Sequence, residues 1–262
     1  APRPEFTLAV ANAAWGQAGW PWKPEWQAEQ KERFGGGFQP ADFRTAANAE
    51  RGRINGWVAG QTRGKIPALL QPTHVTEQTR FVLTNAVYFE GKWASAFKKA
   101  DTRDEPFHAP TGAVPVPLMH QKGNLRYAEG DGVQVLEMPY RGGELSMLVI
   151  LPAAKDGLAA VEAKLTPELL AGWAAKLSPE LVEVAFPRFK SEFRSEPLPL
   201  LRAMGVDDAT NPAKADFGRM FAAKPPEPVA VGAVVHQAVI EVDEEGTVAA
   251  AATAVGGNAP SP

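Results

Sequence analysis

The four histidines, His74, His108, His120 and His236, are the first places to look for chemistry, and none stands in a catalytic or metal-binding pattern. A zinc protease needs two histidines one helical turn apart around a glutamate, and that spacing is missing. No serine sits in a Gly-x-Ser-x-Gly elbow. The absence of cysteine removes disulfides, thiolate nucleophiles and cysteine-ligated zinc. Carboxylates are plentiful, but nothing singles out a pair for acid–base work. Gly35-Gly36-Gly37 is followed by no Lys-Ser/Thr and lacks the strand and helix of a phosphate loop, so it reads as a turn. The chain is therefore not read as an enzyme, and no metal or cofactor is expected.

A different kind of chemistry is written near the end. Val234 to Val242 alternates as a strand, with His236, Ala238, Ile240 and Val242 on one face and Gln237, Glu241 and Asp243 opposite. Glu244-Glu245-Gly246 follows, and then Thr247 to Val255, in which every side chain is small or β-branched and uncharged. Four consecutive alanines favour helix, the flanking Thr and Val residues favour strand, and Gly246 supplies a pivot. Composition leaves loop, tail and strand open. Burial between two strands would desolvate no charge and demand little room.

Several elements must position that stretch. Residues 5 to 17 read as a strand with Phe6, Leu8 and Val10 on one face, and Pro24 opens a short helix. Packing between that strand end and helix start accounts for Trp20, Trp22 and Trp26. Ala46 to Gln61 is a helix whose Ile54, Trp57, Val58 and Gln61 share a face, stopped by Thr62-Arg63-Gly64. Arg80 to Phe89 is a long strand with Phe81, Leu83, Asn85, Val87 and Phe89 on one side. Asn85 and His236 are then lone polar groups in apolar rows, and a direct bond between them would satisfy both. Short strands are expected at 116–123, 125–128, 133–140 and 145–152, with a hairpin turn at Arg141–Glu144. Helices follow at 158–165 and 167–177, the second capped by Thr166, then a strand over 181–190 and a helix over 199–204.

These segments resemble the serpin family. The resemblance rests on Val235-His236-Gln237-Ala238-Val239-Ile240-Glu241-Val242 and the hinge Glu244-Glu245-Gly246-Thr247 with Val248-Ala249-Ala250-Ala251-Ala252. It extends to Thr84-Asn85-Ala86-Val87-Tyr88-Phe89 with Gly91-Lys92-Trp93, and to the segments from Val114 to Pro152. It implies an α+β serpin fold, with a large central mixed or antiparallel sheet, smaller sheets and surrounding helices. Residues 1–262 would form one serpin domain, incomplete at both ends, with 244–262 as hinge and start of the reactive loop.

The resemblance also implies a function: a suicide substrate that traps a serine protease, or alternatively a cysteine protease, when the cleaved loop enters the main sheet. The alternative is a non-inhibitory carrier or chaperone on the same fold. Asn85 and His236 would lie at the shutter, Trp93 and Arg188 at the breach, and Arg188 would face Glu244. The usual loop length places the scissile bond near Ala259, Pro260 and Ser261. Val248 departs from the acid common in the family, but faces outward in the alternation.

Bulk properties agree with a soluble protein, and a monomer is expected. The net charge of −3 argues against a nucleic-acid partner, and no apolar run approaches a membrane span. Ala1-Pro2-Arg3-Pro4 has no signal-like region, and the resemblance alone favours an extracellular setting.

Overall fold

The computed structural model describes residues 6–35, 37–109, 112–211 and 213–258. The chain forms two compact units, one built chiefly from Glu90–Lys190 with Glu241–Val248, the other from Leu8–Phe89, Ser191–Ile240 and the chain from Ala249.

The first unit is a β-sheet with two helices. Its strands are β4 (Arg103–Ala109), β5 (Gly112–Gly130), β6 (Val133–Pro139), β7 (Ser146–Pro152) and β8 (Ser178–Pro187), in the order β4-β5-β6-β7 with β8 also on β5. β5 is one continuous strand where the sequence suggests two. It is long enough to serve three antiparallel partners in succession: β4 against Gly112–Leu118, β8 against Leu118–Tyr127 and β6 against Arg126–Gly130. β4 was not expected, since its side chains are mostly exposed and polar and give little hydrophobic alternation. The turn at 141–144 is present, closed by the Tyr140 N–H donating to the Leu145 carbonyl at 2.9 Å. Helix α3 spans Leu158–Glu162 and α4 spans Pro167–Lys176. Thr166 caps α4 by accepting from the Leu169 N–H at 3.2 Å. Trp173 and Leu177 pack on Val133 and Val135 to make this unit's core.

The second unit carries a six-stranded sheet. In order across it stand β2 (Gly37–Ala41), β1 (Phe6–Gln17), β3 (Thr79–Lys92), β11 (Gly246–Asn258), β10 (Ala230–Val242) and β9 (Phe189–Ser195). β2 pairs parallel with β1 and was also unexpected; Pro40 and its short length hide it. Helix α1 (Pro24–Phe34) has Pro24 in its first turn and ends on Gly35 at φ 63°. Helix α2 (Phe43–Gln61) has a first turn, capped by Asp42 accepting from the Thr45 N–H, ahead of a kink at Ala46 (φ −135°, ψ 30°), the residue at which the sequence suggests the helix starts. Helix α5 spans Leu198–Ala203. Trp22, Phe81, Met220, Phe221 and Val229 form the core, with Trp20, Trp26 and Phe38 packed on it, so the tryptophans are packing residues.

Two expectations change. The stretch 181–190 is not one strand: β8 stops at Pro187, β9 begins at Phe189, and the two belong to different sheets. Proline offers no N–H to extend the ladder, and the Arg188 N–H turns instead to the Pro117 carbonyl at 2.9 Å. On β3 the face opposite Asn85 is the more deeply buried, with Val82, Thr84 and Tyr88 at most 3 % exposed while Leu83 and Asn85 are half-buried. Thr84 survives there because its hydroxyl accepts from Trp15 Nε1 and donates to the Ala13 carbonyl.

Candidate functional site: the root of β11

The stretch that composition left undecided is extended backbone. β11 lies in the middle of the six-stranded sheet, hydrogen-bonded to β3 on one side and β10 on the other. A strand of small residues can take that place because a central position buries both faces and offers every backbone group a partner.

Three residues, Asp243, Glu244 and Glu245, separate β10 from β11. Asp243 shapes them: its Oδ1 accepts from the N–H groups of Glu245 and Gly246 at 2.8 and 3.1 Å, and its own N–H donates to the Gly246 carbonyl at 3.0 Å. This is an Asp-led turn, a short-range signal that the sequence does contain.

Gly246 begins β11, and its role differs from the pivot expected of it. It is not among the described glycines with positive φ. What it supplies is room: an added Cβ would run into the Gly91 carbonyl oxygen and lie 2.9 Å from Lys92 Cα. Only hydrogen fits between the two backbones.

The end of β3 and the segment after it grip this root. The Trp93 N–H donates to the Glu245 carbonyl at 2.8 Å, and Trp93 Nε1 donates to the Asp243 carbonyl at 3.0 Å. The Phe97 N–H donates to the Glu244 carbonyl at 2.9 Å. The Trp93 indole, 1 % exposed, stacks on Tyr140 with ring centres 4.8 Å apart and planes 10° apart. Tyr140 then donates its hydroxyl to Thr247 Oγ1 at 2.9 Å, satisfying a buried polar group on the first turn of β11's ladder. Burial raises the Tyr140 phenol, partly offset by that hydrogen bond.

Glu244 is the charged centre of the site. Its side chain is 3 % exposed, with Thr102 Oγ1 donating to Oε1 at 2.8 Å and Arg188 Nη1 at 3.6 Å. Burial pushes its carboxyl upward, but its own N–H, the Thr102 hydroxyl and the positive charges of Arg188 and Lys99 outweigh that and hold it below the usual carboxylate range. The pairing of Arg188 with Glu244 is present and half-buried: Arg188 is 52 % exposed and Glu244 3 %. Lys99 and Glu245, 3.3 Å apart, are both solvated.

The remaining sequence-derived positions fall as follows. Asn85 on β3 donates from Nδ2 to Asn12 Oδ1, and His236 is half-buried on β10. β11 stands between β3 and β10, so the strands of Asn85 and His236 are not neighbours. Val248, Ala249, Ala250, Ala251 and Ala252 continue the backbone of β11, while Ala259, Pro260 and Ser261 lie outside the described residues. Gly91, Phe97, Thr102 and Tyr140 were missed, since their roles arise from contacts more than a hundred residues away in sequence. Among the described residues no group of three or more His, Asp or Glu is arranged to hold a metal, and no helix is long and apolar enough to cross a membrane.

The fold is thus a mixed α+β one, with a small-residue strand between β3 and β10 that is rooted in a turn clasped by neighbouring segments. The family model "Serpin (serine protease inhibitor)" matches residues 1–262, and the chain belongs to the serpin family. It is similar to antithrombin-III of Mus musculus, 37 % identical over 95 % of this chain and 54 % of that protein. It is similar also to leukocyte elastase inhibitor A of Rattus norvegicus, 38 % identical over 95 % of this chain and 67 % of that protein. Among solved structures, ovalbumin of the emu Dromaius novaehollandiae superposes with a TM-score of 0.92 at 32 % identity, over all of this chain and 68 % of that one. The chain spans about half the length of antithrombin-III and two thirds of the other two.

Proposed function

We propose that the protein is an inhibitory serpin that acts as a suicide substrate of a serine protease. The observation that carries this reading is the central place of β11, reached from β10 through a three-residue turn. Insertion of the reactive loop into the sheet is the documented behaviour of this family. In the proposed sequence the protease serine Oγ adds to the carbonyl of the scissile bond, the peptide C–N bond breaks, and the new amine leaves with a proton. The ester joining protease to loop then remains while residues from Gly246 onward enter the sheet and draw the protease with them. Ala259, Pro260 and Ser261 are the proposed cleavage region.

The hinge chemistry supports the reading. From Thr247 to Val255 there is no charge to strand inside the sheet. Arg188 and Trp93 are proposed as breach residues, Asn85 and His236 as shutter residues.

Incubating the complete protein with elastase-like, trypsin-like and chymotrypsin-like proteases and running a denaturing gel tests this. We expect a heat-stable band at the summed mass with at least one protease. Simple cleavage throughout the panel would instead favour a non-inhibitory carrier, and cysteine proteases extend the same panel.

A further inference from the structure

The loop leading into β10, residues 215–229, is fastened at three points. Its middle pairs with the segment before α1: the Ala222 N–H donates to the Pro21 carbonyl at 2.7 Å and the Lys23 N–H to the Met220 carbonyl at 2.9 Å, beside an antiparallel bridge between Trp22 and Phe221. Its start is held by rings, Phe217 meeting Phe81 edge-on with centres 5.5 Å apart. Its end is held by charge, since Glu227 Oε2 accepts from Arg80 Nε and Nη2 at 2.8 and 2.6 Å. Apart from a 3-10 turn at Gly218–Met220 the loop has no helix or strand of its own. Irregular loops of such length in a folded domain are either mobile or functional, and this one is pinned.

Between its fastenings the loop encloses a cleft of about 620 Å³, a size suited to a small molecule. Its lining is made of rings: Phe217 and Phe221 are aromatic, Pro225, Pro226 and Pro228 saturated, with Val229 beside them. Phe221 is 3 % exposed and set against Trp22 with centres 4.5 Å apart, and each proline fixes its own φ, so little order remains to be imposed on binding. Three charged residues also line the cleft: Asp216, Lys224 and Glu227. Glu227 is occupied by Arg80, with Arg44 3.6 Å from its other oxygen, and Asp216 shapes the turn by accepting from the Gly218 N–H at 2.8 Å. Lys224 is exposed, and among the described residues no carboxylate pairs with it. The charge left to meet a ligand is therefore positive.

We propose that the 215–229 loop is a binding site for a small planar aromatic acid, whose ring packs on the phenylalanine and proline rings and whose carboxylate meets the Lys224 ammonium. Ring-on-ring contact favours a planar body over a flexible chain, which would lose rotamer freedom on entering. A carboxylate gains a charge-assisted hydrogen bond at Lys224 that a neutral head group lacks. This binding is separate from any action on a protease and stands or falls without it.

The test titrates the complete protein with 2-naphthoate by calorimetry, beside 2-naphthamide, which has the same shape and no charge. Parent, Lys224→Ala and Phe217→Ala are compared, and hydrogen exchange locates the bound probe. Loss of one charge-assisted hydrogen bond corresponds to about a tenfold change in Kd. We expect 2-naphthoate to bind the parent, to bind Lys224→Ala about tenfold more weakly, and to slow exchange of amides within residues 215–229. The amide should bind the parent about as weakly as the acid binds Lys224→Ala, and Lys224→Ala should leave its affinity unchanged. Phe217→Ala should weaken both probes; should it not fold, Phe217→Leu removes the ring and keeps the bulk. No binding of 2-naphthoate up to about 1 mM, or protection confined to other residues, overturns the site. Equal or tighter binding of the amide, or an unchanged Kd for the acid in Lys224→Ala, overturns the acid as its ligand.

Discussion

At the scale of single residues, Gly246 and Glu244 make opposite demands. Gly246→Ala must push a methyl group into the Gly91 backbone, which cannot yield without moving the end of β3. We expect a loss of about 1–3 kcal/mol in chemical denaturation, together with protease cleavage that no longer leads to trapping. Glu244→Gln keeps the shape but removes a charge that Thr102 and Arg188 stabilise. With a folded carboxyl pKa below the unfolded one, the native state binds fewer protons, so the stabilisation is full above the unfolded value of about 4.5 and lost as pH falls through the folded value. Glu244→Gln should therefore lower stability by about 1–2 kcal/mol at neutral pH, and the difference from the parent should vanish once acidification has passed the folded value. A difference that persists there would show that packing, not charge, is what Glu244 supplies.

At the scale of elements, β11 is kept at its root by side chains and along its length by backbone. Tyr140→Phe leaves the ring stack on Trp93 intact and deprives the buried Thr247 hydroxyl of its donor. Its expected cost is about 1–2 kcal/mol, read as a shift in denaturation midpoint without a change in slope. A second fastening ties the start of β3 to the segment before β10. Arg80, 6 % exposed, donates from Nε and Nη2 to Glu227 Oε2 at 2.8 and 2.6 Å, and Arg44 approaches the other oxygen. Glu227→Ala leaves the buried Arg80 held by the Glu77 and Thr79 carbonyls and should cost about 1–3 kcal/mol in thermal or chemical unfolding. How legible such elements were depended on whether their cause is local. β10, α1, α4 and the 141–144 turn follow from alternation, Pro24, Thr166 and a glycine pair, all contained within a few residues. β2 and β4 are short edge elements that exist because β1 and β5 offer them a ladder, and nothing inside them announces a strand. The four alanines of β11 carry no strand signal either; two flanking strands decide their conformation.

At the scale of the whole molecule, the candidate site was legible where one chain segment specifies it and illegible where distant segments converge. Thr247 to Val255 stood out by lack of charge, yet the need for glycine at 246 comes from Gly91, and the hold on Glu244 comes from Thr102. The loop entry proposed above should also leave an optical trace. Of the seven tryptophans, Trp20, Trp22 and Trp26 sit in one aromatic cluster and Trp15 meets Trp57 edge-on, whereas Trp93 alone is laid flat against a tyrosine and hydrogen-bonded to the turn before β11. Its indole is thus a built-in reporter, a chromophore whose surroundings become wet the moment the turn lifts. Rapid-mixing fluorescence could follow the turn's release without any attached dye, and a Trp93→Phe control would identify the share of signal that belongs to it.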